Sequence, residues 1–181
     1  MLVVGVEKEF RDGKDNLCVL DRRNWVFREA LDPSKLVPPP VKPALRSDSE
    51  LAEMSKGKIT HQYNRDVVQL FRFSALTFNG HRIHYDKPWA TQVEGHRNVV
   101  VHGPMNLVSM LDIWRDEAAK RGAGSQPELI VYPKQIEYRA TSPVYAGEGY
   151  RIQMEYVEKG VSALDVISDD GTKCMRGTIE Y

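Results

Sequence analysis

Apolar and polar positions from Val3 to Phe27 read as strand, turn, strand: VVGVEKEF, then Arg11-Asp12-Gly13-Lys14, then LCVLDRRNWVF. Asp-Gly between two such runs is a strong hairpin signal. Two strands alone are marginal in water, so this hairpin is expected to lie against more of the chain or against a second protomer. Between residues 31 and 57 the pattern lapses into Pro33, Pro38, Pro39, Pro40 and Pro43, followed by SDSELAEMSKG. Proline removes backbone donors and fixes φ, so Leu36–Pro43 is expected to be an extended linker, and a short helix capped at Ser47 is left open. Ile59–Tyr63 reads as a strand, and Asn64 or Asp66 as the cap of a short helix through Val67, Val68, Leu70 and Phe71.

The strongest helical period runs from Gly103 to Arg121. Pro104 suits the first turn, Leu107, Val108, Leu111, Trp114 and Ala118 recur at helical spacing, and Gly122 suits the end. Its first half is apolar nearly all round, so Met105, Met110 and Ile113 are expected to be buried. Asp116 with Lys120 and Glu117 with Arg121 are expected as i,i+4 pairs on a solvated second half. Only strand-like runs follow: ELIVYPKQIEYRA, RIQMEYVEKG, VSALDVIS and TKCMRGTIEY, with turns at Glu158-Lys159-Gly160 and Asp169-Asp170-Gly171. One buried helix followed by an antiparallel meander predicts an α+β fold in which the sheet wraps the helix. The opening hairpin also echoes the closing one, as though residues 1–30 were the last two strands of another copy of the same domain.

Composition narrows the function. The 181 residues carry 25 basic and 25 acidic side chains, which leaves no net charge to neutralise a phosphate backbone and argues against nucleic acid as the partner. No apolar run approaches the length of a membrane span, and Glu7, Lys8 and Glu9 spoil a signal-peptide core. Cys18 and Cys174 are too few for a disulfide framework and are read as packed side chains in a reducing compartment.

Candidate chemistry concentrates in LFRFSALTFNGHRIHYDKPWA, residues 70–90, and in VVVHGP, residues 99–104. Asn79 and His84 flank a Gly80-containing turn and can converge on one point. His84 exchanges a proton near neutral pH, whereas Asn79 can orient a water or substrate but cannot act as a base. His102-Gly103-Pro104 opens the buried helix, where free N–H groups favour an oxyanion. Each has a plainer alternative. His84 could be a hydrogen-bonded turn residue, Gly103-Pro104 merely a helix start, and Arg72, Arg82 and Arg97 surface charges. His81 and His84 form HxxH without the further ligands a metal site needs. Serine-hydrolase, NTPase and dinucleotide motifs do not occur in the sequence.

FRFSALTFNGHRIHYDKPWA together with VVVHGP resembles the MaoC-like, type 2 hydroxyacyl-thioester dehydratases of the hotdog fold, most closely their mesaconyl-CoA and FAS1-like hydratase branch. The resemblance implies a catalytic hotdog over residues 58–181 and a linker over 31–57. Residues 1–30 then look like the end of a truncated N-terminal hotdog. It implies hydration or dehydration of an acyl thioester carried by coenzyme A or acyl carrier protein, with no metal or other cofactor. His84 takes the place of the catalytic histidine, Gly103 that of the oxyanion-hole glycine, and Asp86 that of the acidic residue after the histidine. Asn79 stands where the wider family carries aspartate, which leaves His84 as sole base. Arg72 or Arg82 could grip a second substrate carboxylate, and His102 is placed with them at the substrate.

A homodimer in the cytoplasm or mitochondrial matrix is expected, with no membrane partner. The alternatives kept open are a dehydratase or isomerase of a specialised intermediate, a non-catalytic dimerisation scaffold, and a thioesterase using Asp86.

Overall fold

The computed structural model describes residues 1–27, 29–32, 40–122, 132–158 and 160–181. The chain divides into two compact units, Met1–Leu36 and Val37–Tyr181. The first is the expected hairpin. Strand β1 (Leu2–Arg11) pairs antiparallel with β2 (Leu17–Phe27), and the register sets Leu2 opposite Phe27, Val4 opposite Trp25 and Phe10 opposite Val19 on one face. The turn is held by Asp12, whose carboxylate accepts from the Lys14 and Asn16 N–H groups, both at 2.9 Å.

In the second unit, five antiparallel strands form one sheet in the order β3-β5-β6-β7-β4: β3 (Ile59–Asn64), β4 (Gln135–Ala140), β5 (Gly149–Glu158), β6 (Val161–Ser168) and β7 (Lys173–Glu180). Helices α1 (Asp48–Ser55), α2 (Val67–Leu76), α3 (Lys87–Gln92) and α4 (Gly103–Gly122) complete it. The core joins Met110, Ile113 and Trp114 of α4 to Ile152, Met154, Leu164, Val166, Met175 and Ile179 of the sheet. This is the α+β arrangement of sheet around helix expected from the order of elements, and the hotdog that the resemblance implied. The expected linker at 33–39, the N-terminal part of the run before β4 (123–131) and Lys159 lie outside the described residues.

One expectation left open, the helix capped at Ser47, is met, and three others are replaced. Residues 48–55, within the stretch read as linker, form α1 behind a capping box in which Ser47 and Glu50 satisfy each other's backbone N–H groups. That helix covers the sheet face opposite α4: the buried Arg151 donates to Leu51 O at 3.2 Å and Gln153 to Ser55 Oγ at 2.9 Å. Strand β5 is therefore buried on both faces over Tyr150–Met154, rather than alternating.

On α4 the buried stripe is Asn106, Ser109, Met110, Ile113 and Trp114, while Val108 is exposed and Met105 only half-buried. The expected i,i+4 pairs give way to Lys120 with Glu117 and Arg115 with Asp112, each one residue closer in sequence, and Arg121 instead lies over the Tyr156 ring.

Candidate functional site

The start of α4 is brought to His84 by backbone pairing. Val101 N–H donates to Val144 O at 2.8 Å and Ala146 N–H to Val99 O at 2.9 Å, which pins residues 99–101 against 144–146. Val100 N–H in turn donates to Ile83 O at 2.9 Å, at the short 3₁₀ turn Arg82–His84. His84 and Gly103, 19 residues apart in the sequence, thus line one cleft of about 260 Å³. Val100, Val101, Asn106, Val144, Cys174 and Met175 form part of its walls.

Burial and hydrogen bonding define the state of His84. Its Nδ1 is 2.8 Å from Val100 O, and a carbonyl can only accept, so Nδ1 carries the proton and Nε2 keeps its lone pair. Burial pushes the imidazole below its ordinary value, the Val100 bond partly opposes this, and His81 and His96 lower it further. The ring stacks on His102, with centroids 3.7 Å apart and planes 18° from parallel. His102 is fully buried, its Nε2 lies 2.8 Å from Ser74 Oγ, and burial followed by repulsion from His84 and His81 lowers it to about 4. It therefore stands behind His84 rather than in the cleft.

Gly103 supplies an unused donor. Pro104 has no N–H, the Met105 and Asn106 N–H groups both return to His102 O at 3.1 and 3.3 Å, and the Gly103 N–H has no acceptor among the described residues. A Cβ on Gly103 would meet nothing within 4 Å, so that side of the helix start is open. A free N–H at the positive end of a 20-residue helix suits a carbonyl oxygen that gains negative charge.

The remaining candidates are placed elsewhere. Asn79 is half-buried after α2, and its Oδ1 accepts from His81 N–H at 3.0 Å, so the amide is used in shaping the turn before His84. Asp86 caps α3, accepting from Trp89 N–H at 3.0 Å, and pairs with Arg82, which also lies over the Trp89 ring at 4.1 Å. Those bonds hold the Asp86 carboxyl below the usual range. Arg82 is thus engaged within the loop, and Arg72 is exposed on α2; neither lines the cleft. His81 and His84 meet edge to face at 5.6 Å, and no three His, Cys, Asp or Glu side chains converge as metal ligands among the described residues.

Two contributors were missed by reasoning from sequence: the Val100 carbonyl and Asn106. The first carries no side-chain signal. The second was visible as a polar residue three positions after Gly103, on the helix face that also carries Met110 and Ile113.

Comparison with known proteins bears on the whole arrangement. The family model for hydroxyacyl-thioester dehydratase type 2 matches residues 1–146. A mesaconyl-C(4)-CoA hydratase of Chloroflexus aurantiacus is 30% identical over 164 residues, 91% of this chain and 51% of that protein. A mitochondrial hydroxyacyl-thioester dehydratase type 2 of Schizosaccharomyces pombe is 26% identical over 149 residues, 82% of this chain and 43% of that protein. The chain therefore spans about half the length of the curated relatives it matches. The crystal structure of HtdX from Mycobacterium tuberculosis superposes with a TM-score of 0.67 at 15% identity, over 98% of this chain and 61% of that one, a likeness of fold.

Proposed function

We propose that this chain, which belongs to the hydroxyacyl-thioester dehydratase type 2 family, adds or removes water across the α,β double bond of an acyl thioester. One observation carries the reading. An imidazole with Nδ1 tied to Val100 O and Nε2 unprotonated shares a cleft with an unused N–H at the head of a long helix. In hydration, Nε2 takes a proton from water as its oxygen bonds to Cβ, and the electron pair of the double bond moves toward the thioester carbonyl. The Gly103 N–H stabilises the resulting enolate oxygen. The imidazolium then returns the proton to Cα, and dehydration is the reverse.

The substrate reading follows from the cleft. Its volume of about 260 Å³ lies just below the usual range of ligand sites, and Val100, Val101, Val144 and Met175 line it beside the polar Thr141 and Ser142, which favours a short acyl group. Coenzyme A and a carrier protein present the same acyl-thioester group, and the reading covers both. Arg82, engaged by Asp86, does not support a grip on a second carboxylate. No helix among the described residues is long and apolar enough to cross a membrane, and a cytoplasmic or mitochondrial-matrix site of action is proposed.

A homodimer is proposed as the working form. On one face of the hairpin Leu2, Phe10, Val19, Trp25 and Phe27 all remain about half exposed or more, an apolar surface that two strands cannot bury by themselves. Residues 1–30 would then complete the fold as the end of a second hotdog unit. Light scattering on the purified chain checks this, and a monomer would contradict it.

The activity test is loss of the enoyl-thioester absorbance with crotonyl-CoA and with mesaconyl-CoA, for the protein and for His84→Ala. Loss of the band that depends on His84 is the expected result, with the variant slower by about 10²-fold or more. No change with either substrate, or an undiminished rate in His84→Ala, overturns the reading.

A further inference from the structure

Asn106 is a polar side chain in the buried stripe of α4, and it is only 4% exposed. It lies three residues after Gly103, on the helix face that lines the cleft with His84. Asparagine is a poor helix former, because its amide competes for backbone groups, and an aliphatic residue would serve packing better. Its hydrogen bonds show how the amide is oriented.

The chain of donors runs in one direction. Arg65 has no acceptor, so its Nε, 3.4 Å from the Tyr150 hydroxyl oxygen, donates to it. The Tyr150 O–H then donates to Asn106 Oδ1 at 2.9 Å. The Arg65 guanidinium is held in place by Ser109 Oγ at 3.0 Å and by the Tyr63 ring at 4.7 Å, and Tyr63 stacks on Tyr150 at 5.5 Å. With Oδ1 committed, Nδ2 and its two hydrogens form the other end of the amide. They have no acceptor among the described residues, and Nδ2 is not among the fully buried unpartnered atoms, which leaves it facing the cleft that Asn106 lines. A structural role for the network accounts for Oδ1 but not for these donors.

We propose that Asn106 is a catalytic residue whose Nδ2 donates, beside the Gly103 N–H, to the thioester carbonyl oxygen as it becomes an enolate, and that Tyr150 and Arg65 are positioning residues that fix its orientation. This rests on the hydratase reading and adds to it a second oxyanion donor. The donor already polarises the carbonyl of the bound thioester and bonds more strongly as charge develops on the oxygen in the transition state, and the positive end of the Arg65–Tyr150–Asn106 chain polarises it in the same sense.

The test is crotonyl-CoA hydration by the full chain and by Asn106→Ala, Tyr150→Phe and the double variant, with Tm and the carbonyl stretch of the bound thioester recorded for each. Asn106→Ala is expected to lower kcat by about 10²-fold with KM changed by less than about twofold, and to shift the carbonyl stretch to higher frequency. Tyr150→Phe is expected to lower kcat about tenfold, and the double variant to be no slower than Asn106→Ala alone, because both act through one donor. Unchanged kcat and stretch in a folded variant, or losses that multiply, overturn the assignment while leaving the hydratase reading intact. Should Asn106→Ala fail to fold, Tyr150→Phe decides by the same stretch and kcat. A wild-type chain inert toward the thioester, by contrast, removes the hydratase reading and this assignment together.

Discussion

The imidazoles of His84 and His102 lie in a parallel stack 3.7 Å apart, one lining the cleft and the other fully buried behind it. Two cations at that separation would repel strongly in a medium poorer in water than the solvent. At most one ring is therefore charged, and it is His84, since His102 is held near 4. A base kept below its ordinary value by burial is also a stronger acid once protonated, which suits a group that must both take and return a proton.

The pH–rate profile should report this. His84 acts as base only when neutral, and its value lies below 6.5, so the acid limb of kcat/KM for hydration is expected below pH 6.5. Initial rates from about pH 4.5 to about pH 8 measure it. An acid limb centred at pH 7 or above would remove His84 as the base or burial as what lowers it.

Stability should fall with acid for the same reason. His102 is lowered to about 4 in the fold, against about 6.5 when unfolded, so between these values the unfolded chain binds the extra proton. Stability is thus present above about pH 6.5 and is lost as pH falls toward about 4, with a slope of up to about 1.4 kcal/mol per pH unit. Urea midpoints across that range, compared with His102→Asn, isolate the effect from the carboxylates. Parallel curves for the two proteins would refute it.

Asn79→Asp should preserve the fold. An aspartate offers the same oxygen to His81 N–H that Asn79 Oδ1 offers now, so the turn before His84 keeps its shape. Turnover at or above the wild-type rate is expected. A loss greater than about tenfold at unchanged Tm would show that the position rejects a carboxylate.

Gly149 is expected to be intolerant of a methyl group. A Cβ there would stand 2.0 Å from Asp169 Oδ2, and that carboxylate accepts from the buried Arg151 at 3.1 Å. Displacing it leaves the guanidinium without its charge partner, so Gly149→Ala should destabilise by about 2 kcal/mol in urea unfolding. Gly149 is outside the cleft, so kcat should be unchanged. An unaltered urea midpoint would mean that Asp169 shifts without breaking the pair.

Much of the architecture was legible because it is local. Asp12-Gly13 and the flanking runs specify the hairpin, the apolar period and Gly122 delimit α4, and turn residues separate the strands that pack on it. The text around His84 and Gly103 marked the cleft for the same reason: each residue sits on an element whose ends are set by neighbours in the chain. The Ser47–Glu50 capping box was written in the sequence too, yet its consequence, an α1 covering the outer face of the sheet, depends on Arg151 and Gln153 nearly 100 residues away.

What the sequence determined by itself is therefore the order and type of the hairpin, of α2 and α4 and of the strands around them, through periodicity, turn chemistry and caps, and the identity of one histidine and one glycine worth bringing together. Tertiary structure alone decided which polar atoms remain free. It assigned His84 Nδ1 to Val100 O, 16 residues away, and Asn106 Oδ1 to Tyr150, 44 residues away, whereas Arg82 with Asp86 and Asn79 Oδ1 with His81 N–H are contacts within a turn of the chain. A donor's availability is set by every acceptor within about 3 Å of it, and most of those arrive only when distant segments pack.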